Sequence, residues 1–300
     1  MRPDLDLSPK GVGALLDDAL ALYRAQPAAL ATAAAIVVLP AALVVNVARV
    51  FYVRGALNFI SILARSGPDQ IPSALMPAQT AEAIATGILP VLTLARWFLL
   101  AGVVAVGPLL LYGHRVQPRR ITRPGWQPFL SFVGAELLVY LATGAAFILT
   151  SLTIVGIVIA PFLALWLFVR FSLAGVIVVA EGCKPTDGMR RAWRLTRGRW
   201  WRTFGFLLAV GLVMFGVASA IESPAILRQV VSALENAAGS VQVPQVGWIV
   251  LDGVLVAIAT AVGVPFTALC WYRYYLDLRS RSEGMDLLLR ATDLAEDARP

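Results

Sequence analysis

Long apolar stretches alternate with short polar connectors along most of this chain. Nearly uninterrupted runs of hydrophobic residues occupy positions 27–50, 92–112, 128–149, 154–178, 203–221 and 248–271. Each run has about 20 residues, enough for an α-helix to cross the hydrocarbon core of a bilayer. The pattern therefore predicts an all-α, polytopic membrane bundle of six transmembrane helices.

Two further segments show helical amphipathicity. The first is predicted to begin with Ser8 as N-cap and Pro9 as first helical residue, and its apolar positions recur at helical spacing as far as Tyr23. The second is predicted from an N-cap at Thr186 or Asp187, with Trp193 on its apolar face and arginines on the opposite face. We expect both to lie in the cytoplasmic membrane interface as amphipathic helices.

Arginine is concentrated in the stretch 181–202, between two predicted spans. Two interpretations of this cluster remain open: the charge only fixes the orientation of the protein, or it forms a site for an anionic lipid headgroup or a protein partner. Nucleic acid is not an expected ligand, because hydrophobic spans flank the cluster on both sides. The candidate binding residues are Arg190, Arg191, Arg194, Arg197, Arg199 and Arg202.

Composition agrees with a membrane protein. Hydrophobic residues make up 59% of the chain, charged residues 14%, and the mean hydropathy is +0.76, more apolar surface than a soluble fold of 300 residues could bury. The net charge is +7, and the positions of the cations indicate orientation. All lysines and arginines are predicted on the inner side, except five at or near the outer face: Arg49, Arg54, Arg65, Arg96 and Arg228.

This distribution places both termini in the cytoplasm. The basic residues are 23 arginines and only two lysines, which together with the alanine content suggests a GC-rich bacterial genome and hence the bacterial inner membrane. No cleavable signal peptide is expected at the N-terminus. Cys183 and Cys270 both fall at predicted cytoplasmic ends, so no disulfide is expected.

Four ionisable residues fall within the predicted spans or at their edges. An isolated charge there costs about 2.5–3.5 kcal/mol on insertion scales, so charges are expected to pair. From their estimated depths, we predict that Glu136 pairs with Arg170 and that Arg96 pairs with Asp252. The pairs could be purely structural or could mark a proton or substrate pathway.

Opposite charges alternate in the segment after the last span, at Asp277, Arg279, Arg281 and Glu283. These side chains could pair with one another or with the arginine cluster. Our hypothesis is that Asp277 and Glu283 hold arginines of residues 190–202, as a C-terminal clamp.

Signatures of enzymes and cofactor sites are lacking in the sequence. His114 is the single histidine, which rules out a metal site built on a histidine pair, and no Walker loop, G-x-S-x-G or G-x-G-x-x-G motif occurs. We therefore expect no catalytic residues, no metal and no cofactor.

The chain also shows a loose internal repeat of a cytoplasmic amphipathic or basic segment, an outward span and a returning span. Three such helix-hairpin units are predicted within a single membrane domain, at about 1–113, 114–181 and 182–300, with no soluble catalytic domain.

Four segments resemble a known family. They are LLDDALALYR near the N-terminus, VRFSLAGVIVVAEG, GMRRAWRLTRGRWWRTFG and the late YYLDLRSRSEGMDLLL. Together they resemble the glycerophosphoryl diester phosphodiesterase membrane-domain family of bacterial multi-pass proteins, most specifically over 168–206 and 272–288. Relatives often have Arg-Ser-Trp where this chain has Arg191-Ala192-Trp193. Some relatives also carry a catalytic barrel, which is not expected here, so the resemblance implies no activity.

Two functions from different classes follow from these predictions. The first is a non-enzymatic scaffold or accessory protein whose arginine-rich inner face binds anionic lipid headgroups or a cytoplasmic or membrane protein partner. The alternative is a transporter or permease for a lipid-like or small anionic solute. A water-accessible cavity reaching both Glu136 and Arg170 would favour transport.

Overall fold

The computed structural model describes residues 10–65, 90–123, 126–237 and 246–284. Throughout these ranges the regular structure is α-helical and no residue belongs to a β-strand. The helices are α1 (Val12–Ala25), α2 (Pro27–Arg65), α3 (Pro90–Ala105), α4 (Gly107–Leu111), α5 (Pro118–Ile121), α6 (Trp126–Ser151), α7 (Ile154–Phe171), α8 (Ala174–Glu181), α9 (Pro185–Leu195), α10 (Trp200–Ala237) and α11 (Val246–Glu283).

Five helical segments of the described chain are long and apolar enough to cross a membrane. They are Pro27–Gly55, Trp126–Ser151, Val155–Glu181, Trp200–Glu235 and Val246–Glu283. The apolar helix α3 is shorter, because the predicted span 92–112 is divided at Val106 and continues as α4 from Gly107, one residue before Pro108. The protein is thus an all-α membrane protein, and the count of six spans stays a prediction.

Three helices are longer than the predicted spans. Helix α2 contains 39 residues, and α10 and α11 contain 38 each, about 57 Å at ~1.5 Å per residue. The predicted end of the fifth span at Ile221 is wrong, since α10 continues through Pro224. An internal proline removes one backbone hydrogen bond, and a long helix tolerates that loss. Of the loop predicted over 51–91, residues 51–65 are helical and 66–89 lie outside the described residues.

The fourth predicted span is divided after Phe171 and resumes as α8. The tight turn predicted before it is confirmed, because Thr153 caps α7 by accepting a hydrogen bond from the backbone N–H of Gly156 at 3.0 Å. The predicted N-cap of α9 is wrong, and the predicted N-cap of α1 lies outside the described residues. Helix α9 begins at Pro185, whose fixed φ suits the first helical position, and its N-cap is Lys184. Helix α1 begins at Val12, and Ser8 and Pro9 lie outside the described residues.

The chain divides into two compact units. Unit 1 comprises residues 1–33, 97–213 and 265–300, and unit 2 comprises 34–96 and 214–264. Among the residues that the structure describes, the arginines of unit 2 are those predicted at or near the outer face: Arg49, Arg54, Arg65, Arg96 and Arg228. The other described lysines and arginines belong to unit 1. A division based on contacts therefore matches a division based on charge.

The second half of α11 lies in the core of unit 1. Residues 272–278 are all buried, although the sequence places them after the last span. The ring of Tyr274 stacks on Phe206 with centroids 4.1 Å apart, and its hydroxyl bonds to that of Thr203 at 2.9 Å. The segment after the predicted last span is therefore part of the protein core, and its side of the membrane stays a prediction. Its tyrosines and leucines surround the helix on all sides, which is typical of a buried helix.

Candidate arginine-rich site and its ion pairs

Helix α9 packs against the protein through its apolar face. Gly188, Ala192 and Leu195 are buried, and a Cβ at Gly188 would lie 2.3 Å from a methyl group of Val178 in α8. Glycine at this position lets α8 and α9 approach closely. Helix α9 is thus amphipathic with its apolar side covered by neighbouring helices, and its predicted position in the membrane interface stays a prediction.

Trp193 and Arg170 form an aromatic and cationic contact between α9 and α7. The guanidinium carbon of Arg170 lies 4.8 Å from the Trp193 ring centroid and 5.2 Å from that of Trp166. The Thr196 hydroxyl also donates to the backbone carbonyl of Arg170 at 3.3 Å. Cation–π contacts of this kind stabilise a partly desolvated arginine.

The predicted pair between Glu136 and Arg170 is wrong. The ion pairs among the described residues include neither side chain, and the Arg170 guanidinium is occupied by the two indole rings. The prediction used depth alone. Depth does not fix the direction in which a side chain leaves its helix, and that direction decides which groups meet.

Asp277 of α11 is the acceptor at the centre of one ion-pair network, which we call the Asp277 network. Its Oδ2 accepts from Nη2 of Arg202 at 2.8 Å and from Nε of Arg281 at 3.0 Å. Its Oδ1 accepts from the backbone N–H of Lys10 at 2.9 Å. Only 2% of the Asp277 side chain is exposed, so this buried carboxylate is compensated by two guanidinium groups and one amide.

The same arginines also hold the backbone that precedes α1. The carbonyl oxygen of Lys10 accepts from Nη2 of Arg202 at 2.5 Å and from Nη2 of Arg281 at 3.0 Å. Arg199 donates to the backbone carbonyl of Arg281 at 3.1 Å. Within α1, Asp18 pairs with Arg273 and with the Lys10 ammonium. The network therefore fastens α1, α10 and α11 together.

A second network forms a closed ring of hydrogen bonds, which we call the Glu181 ring. Oε1 of Glu181 accepts from the Tyr275 hydroxyl at 2.7 Å and from Nε of Arg191 at 2.5 Å. Nη2 of Arg191 donates to Glu283 at 2.7 Å, and Glu283 accepts from Nε of Arg279 at 2.9 Å. Nη1 of Arg279 donates to the Tyr275 hydroxyl at 3.3 Å and closes the ring. The ring joins α8, α9 and α11.

Both contacts of the predicted C-terminal clamp are present in these networks. Asp277 holds Arg202, and Glu283 holds Arg191. The two arginines of the clamp segment, Arg279 and Arg281, bind the same two carboxylates from within α11, four residues away. The clamp therefore combines local and long-range pairs.

The six arginines of the candidate binding cluster divide into two groups. Arg191, Arg199 and Arg202 are half-buried and bound within the protein. Arg190, Arg194 and Arg197 are exposed. Arg190 has an ion pair with Asp187 at 3.8 Å, with 75% of its side chain exposed, and no described side chain bonds to Arg194 or Arg197. The sequence does not distinguish the groups, since all six are arginines of one short basic stretch, 190–202.

Further exposed cations belong to unit 1. We call the whole group the exposed basic set: Arg24, Arg115, Arg119, Arg120, Arg123, Lys184, Arg190, Arg194 and Arg197. The exposed acidic residues described in unit 1 are Asp17, Asp187 and Glu283, and the last two already bind arginines. Among the described residues of this unit, exposed cations thus outnumber exposed anions.

The segment that carries four of these arginines is held by specific contacts. Gln26 donates to the carbonyl of His114 at 2.6 Å and accepts from the backbone N–H of Val116 at 2.7 Å. Ile121 of α5 is buried, and a Cβ at Gly102 of α3 would lie 2.0 Å from its carbonyl oxygen. The connector is therefore attached at both ends.

In unit 2 the predicted pair between Arg96 and Asp252 is also wrong. Asp252 pairs with Arg49 of α2 at 2.6 Å, whereas Arg96 donates to the Thr260 hydroxyl at 2.8 Å. Thr260 is eight residues beyond Asp252 on α11, about 12 Å along the helix axis. The prediction placed both charges at one depth from assumed span ends, and it did not count Arg49 among the ionisable residues of the spans.

Burial changes the acid–base chemistry at the turn before α9. It raises the pKa of the Cys183 thiol, and the nearby Glu181 carboxylate raises this pKa further. Burial by itself would lower the pKa of Arg191, but the hydrogen bond and charge of Glu181, together with Glu283, raise it. Arg191 therefore stays charged and Cys183 is a weakly acidic thiol.

Several residues of these networks were not singled out by the sequence. Lys10, Asp18, Glu181 and Tyr275 each connect segments that are far apart in the chain. Only Asp18 and Glu181 could have been recognised from the sequence. Each lies next to apolar residues, where a carboxylate is expected to need a partner. No protein-family model, curated protein or solved structure matches this chain. The family resemblance therefore stays a prediction.

Proposed function

We propose that this is a non-enzymatic protein of the bacterial inner membrane whose cytoplasmic surface binds anionic lipid headgroups through the exposed basic set. The observation that carries the proposal is the excess of this set over the exposed acidic residues in the described part of unit 1. Glu181, Asp277 and Glu283 are held by arginines of α9, α10 and α11, so they do not offset the charge of Arg194 or Arg197. Lipid phosphates provide the missing counter-charge.

Aromatic residues beside the exposed arginines support a membrane interface at this position. The Trp201 side chain is 78% exposed and follows the cluster directly. Trp200 packs on Trp201 and stacks on Phe204, and its indole N–H donates to the carbonyl of Trp166 at 3.2 Å. Tryptophan favours the headgroup level of a bilayer, where its ring and its N–H are both accommodated. Arginines next to it are then within reach of phosphates.

The division into units supports the proposed orientation. The described lysines and arginines that were assigned to the inner side all belong to unit 1. If unit 1 carries the cytoplasmic face, cations are concentrated there, as the positive-inside rule requires. A single cysteine introduced at exposed Lys184, in a variant without Cys183 and Cys270, should react with a membrane-impermeant maleimide only after the cytoplasmic side is opened. Labelling of this cysteine in intact cells, where the reagent cannot reach the cytoplasm, would contradict the orientation.

Transport of an anionic solute is supported less well. The predicted requirement was a cavity reaching Glu136 and Arg170 together. A cavity of about 140 Å³ is lined by Glu136, but Arg170 is not among its lining residues. The negative charge of Glu136, with no cation beside it in the lining, would disfavour the binding of an anionic solute in this cavity.

The test compares lipid adducts of three proteins by native mass spectrometry. The proteins are the wild type, Arg190/Arg194/Arg197→Ala and the charge-preserving control Arg190/Arg194/Arg197→Lys, each reconstituted with equal amounts of phosphatidylglycerol and phosphatidylcholine. Each cation near an anionic surface contributes about 1 kcal/mol, so the alanine variant should lose about 100-fold in preference for phosphatidylglycerol. The lysine variant should keep most of it.

Identical adducts for all three proteins would contradict the proposal. If the alanine variant retains its phosphatidylglycerol adducts but loses a cytoplasmic protein that copurifies with the wild type, the surface binds a protein instead and the lipid proposal fails. Raising the salt concentration should weaken the wild-type preference, since exposed charges are screened.

A further inference from the structure

A small cavity in unit 1 combines one carboxylate with several aromatic rings. Its volume is about 140 Å³. A cavity of roughly 150 Å³ holds a benzene molecule, so there is space for a ligand of about six to eight non-hydrogen atoms. The cavity is lined by Trp97, Leu100, Phe132, Glu136, Val139, Tyr140, Phe168, Ser172, Val176 and Trp271.

Glu136 is the only charged residue among those that line the cavity. No described residue donates a hydrogen bond to its carboxylate or pairs with it, in contrast to Glu181 and Asp277. A Cβ at Gly175 of α8 would lie 2.5 Å from Oε1 of Glu136 and 2.6 Å from the ring of Phe132. Glycine at 175 thus leaves the space that this carboxylate occupies.

The aromatic rings are held in place by one another. Trp97 stacks on Tyr140 with centroids 6.0 Å apart and meets Phe132 edge-on at 6.4 Å. Trp271 meets Phe206 edge-on at 5.6 Å. The hydroxyl of Ser172 donates to the carbonyl of Val169 at 2.9 Å and is thus already engaged. The lining therefore places several aromatic rings around one carboxyl group.

We propose that this cavity binds a small organic ammonium ion. The faces of tryptophan, tyrosine and phenylalanine attract cations, and alkylated ammonium groups are bound by aromatic cages of this kind. The ammonium ion would supply the counter-charge for the Glu136 carboxylate, which no described cation of the protein contacts. An anion would meet the negative charge of Glu136 with no compensating cation in the lining.

The ammonium group has two sources: a free small amine, or the headgroup amine of a zwitterionic lipid. Tyr140 and Phe168 belong to membrane-spanning segments and are 51% and 38% exposed. The cavity is therefore lined partly by side chains that face the surroundings of these helices, and the experiment must distinguish the two sources.

The test uses choline and its neutral isostere 3,3-dimethyl-1-butanol as probes of the purified full chain in detergent. Calorimetric titration should show choline binding to the wild type at least tenfold more tightly than the isostere. Glu136→Gln should remove this difference, because it keeps the shape of the side chain and removes its charge. Glu222→Gln in α10 is the matched control and should bind choline like the wild type.

A second measurement tests whether the ammonium group comes from a lipid, and folding controls accompany it. Native mass spectrometry of the wild type with phosphatidylethanolamine should give an adduct that Glu136→Gln loses, if the headgroup is the source. Size-exclusion profiles and circular dichroism establish that each variant is folded. Gly175→Ala should also weaken choline binding, because its Cβ would lie 2.5 Å from Oε1 of Glu136 and displace the carboxylate. Choline binding identifies a free amine as the source, and an adduct without choline binding identifies the headgroup. Equal binding of choline and its isostere, together with an unchanged lipid adduct in Glu136→Gln, overturns the proposal.

Discussion

Oδ2 of Asp277 lies 2.8 Å from Nη2 of Arg202, a residue 75 positions earlier in the chain. This contact joins the buried end of α11 to the first turn of α10, and it also brings Arg202 to the Lys10 carbonyl. The cytoplasmic ends predicted from charge alone are thus tied together by specific pairs. Half of the arginine cluster is bound within the protein, and the other half is exposed.

Replacing Asp277 by asparagine should destabilise the protein. The substitution leaves Arg202 and Arg281 without a carboxylate, and breaking one side of a buried ion pair costs on the order of 3 kcal/mol. Thermal unfolding in detergent should therefore occur at a clearly lower temperature. Asp187→Asn is the matched control: its pair with Arg190 is exposed, and the expected change is below about 1 kcal/mol. Equal unfolding temperatures for the two variants would refute a stabilising clamp.

Removing the Tyr275 hydroxyl should open the Glu181 ring. This hydroxyl donates to Glu181 and accepts from Arg279, so Tyr275→Phe loses two hydrogen bonds in a buried place. We expect a loss of about 1–3 kcal/mol in unfolding free energy. Tyr112→Phe, at a 56% exposed tyrosine, should change little. A Tyr275→Phe protein as stable as the Tyr112→Phe control would show that the ring contributes nothing.

An alanine at position 102 should disturb the packing of α5. Its Cβ would lie 2.0 Å from the backbone carbonyl oxygen of Ile121, which cannot move aside like a flexible side chain. Overpacking of this kind costs about 1–3 kcal/mol. Gly144→Ala is the control, because nothing lies within 4 Å of its added Cβ and alanine favours a helix by up to about 1 kcal/mol. Unfolding scans should move in opposite directions, and a stabilised Gly102→Ala protein would mean that this contact is absent.

Alkylation of Cys183 should depend strongly on pH. Burial and Glu181 raise its pKa, so less thiolate is present at neutral pH than for an unperturbed thiol. Iodoacetamide should therefore react slowly at pH 7 and about tenfold faster for each pH unit up to the pKa. Peptide mapping follows Cys183 separately from the buried Cys270, with the detergent-denatured chain as the reference. Native and denatured rates that coincide at pH 8 would rule out the raised pKa.

The helical membrane class could be predicted from the sequence because it depends on local composition. An apolar run such as 128–149 must satisfy its own backbone hydrogen bonds in a bilayer, and a helix does so without help from other segments. The amphipathic pattern of 186–200 likewise predicted α9, although not the surface that covers its apolar face. The ends of α2, α10 and α11 were predicted less well, since an internal Pro224 is compatible with both a break and a continuous helix.

The pairing of charges followed a different rule. Asp277 and Glu283 were matched correctly with the arginine cluster, because both lie on the same side of the membrane in the charge distribution. Glu136 and Asp252 were matched wrongly, because depth along a helix says nothing about the face on which a side chain lies. Which groups a side chain meets depends on the neighbouring helices. Gly175 of α8 leaves room for the Glu136 carboxylate, and α2 supplies Arg49 to Asp252.

The sequence by itself determined that this protein is helical and membrane-bound and where its positive charge is concentrated, since these properties follow from the hydrophobicity and charge of consecutive residues. The tertiary structure alone decided which arginines form ion pairs within the protein and that the segment 272–278 is buried. It also decided that Glu136 lies among aromatic residues instead of next to Arg170. Such outcomes depend on contacts between residues tens to hundreds of positions apart, whose geometry is set by helix packing.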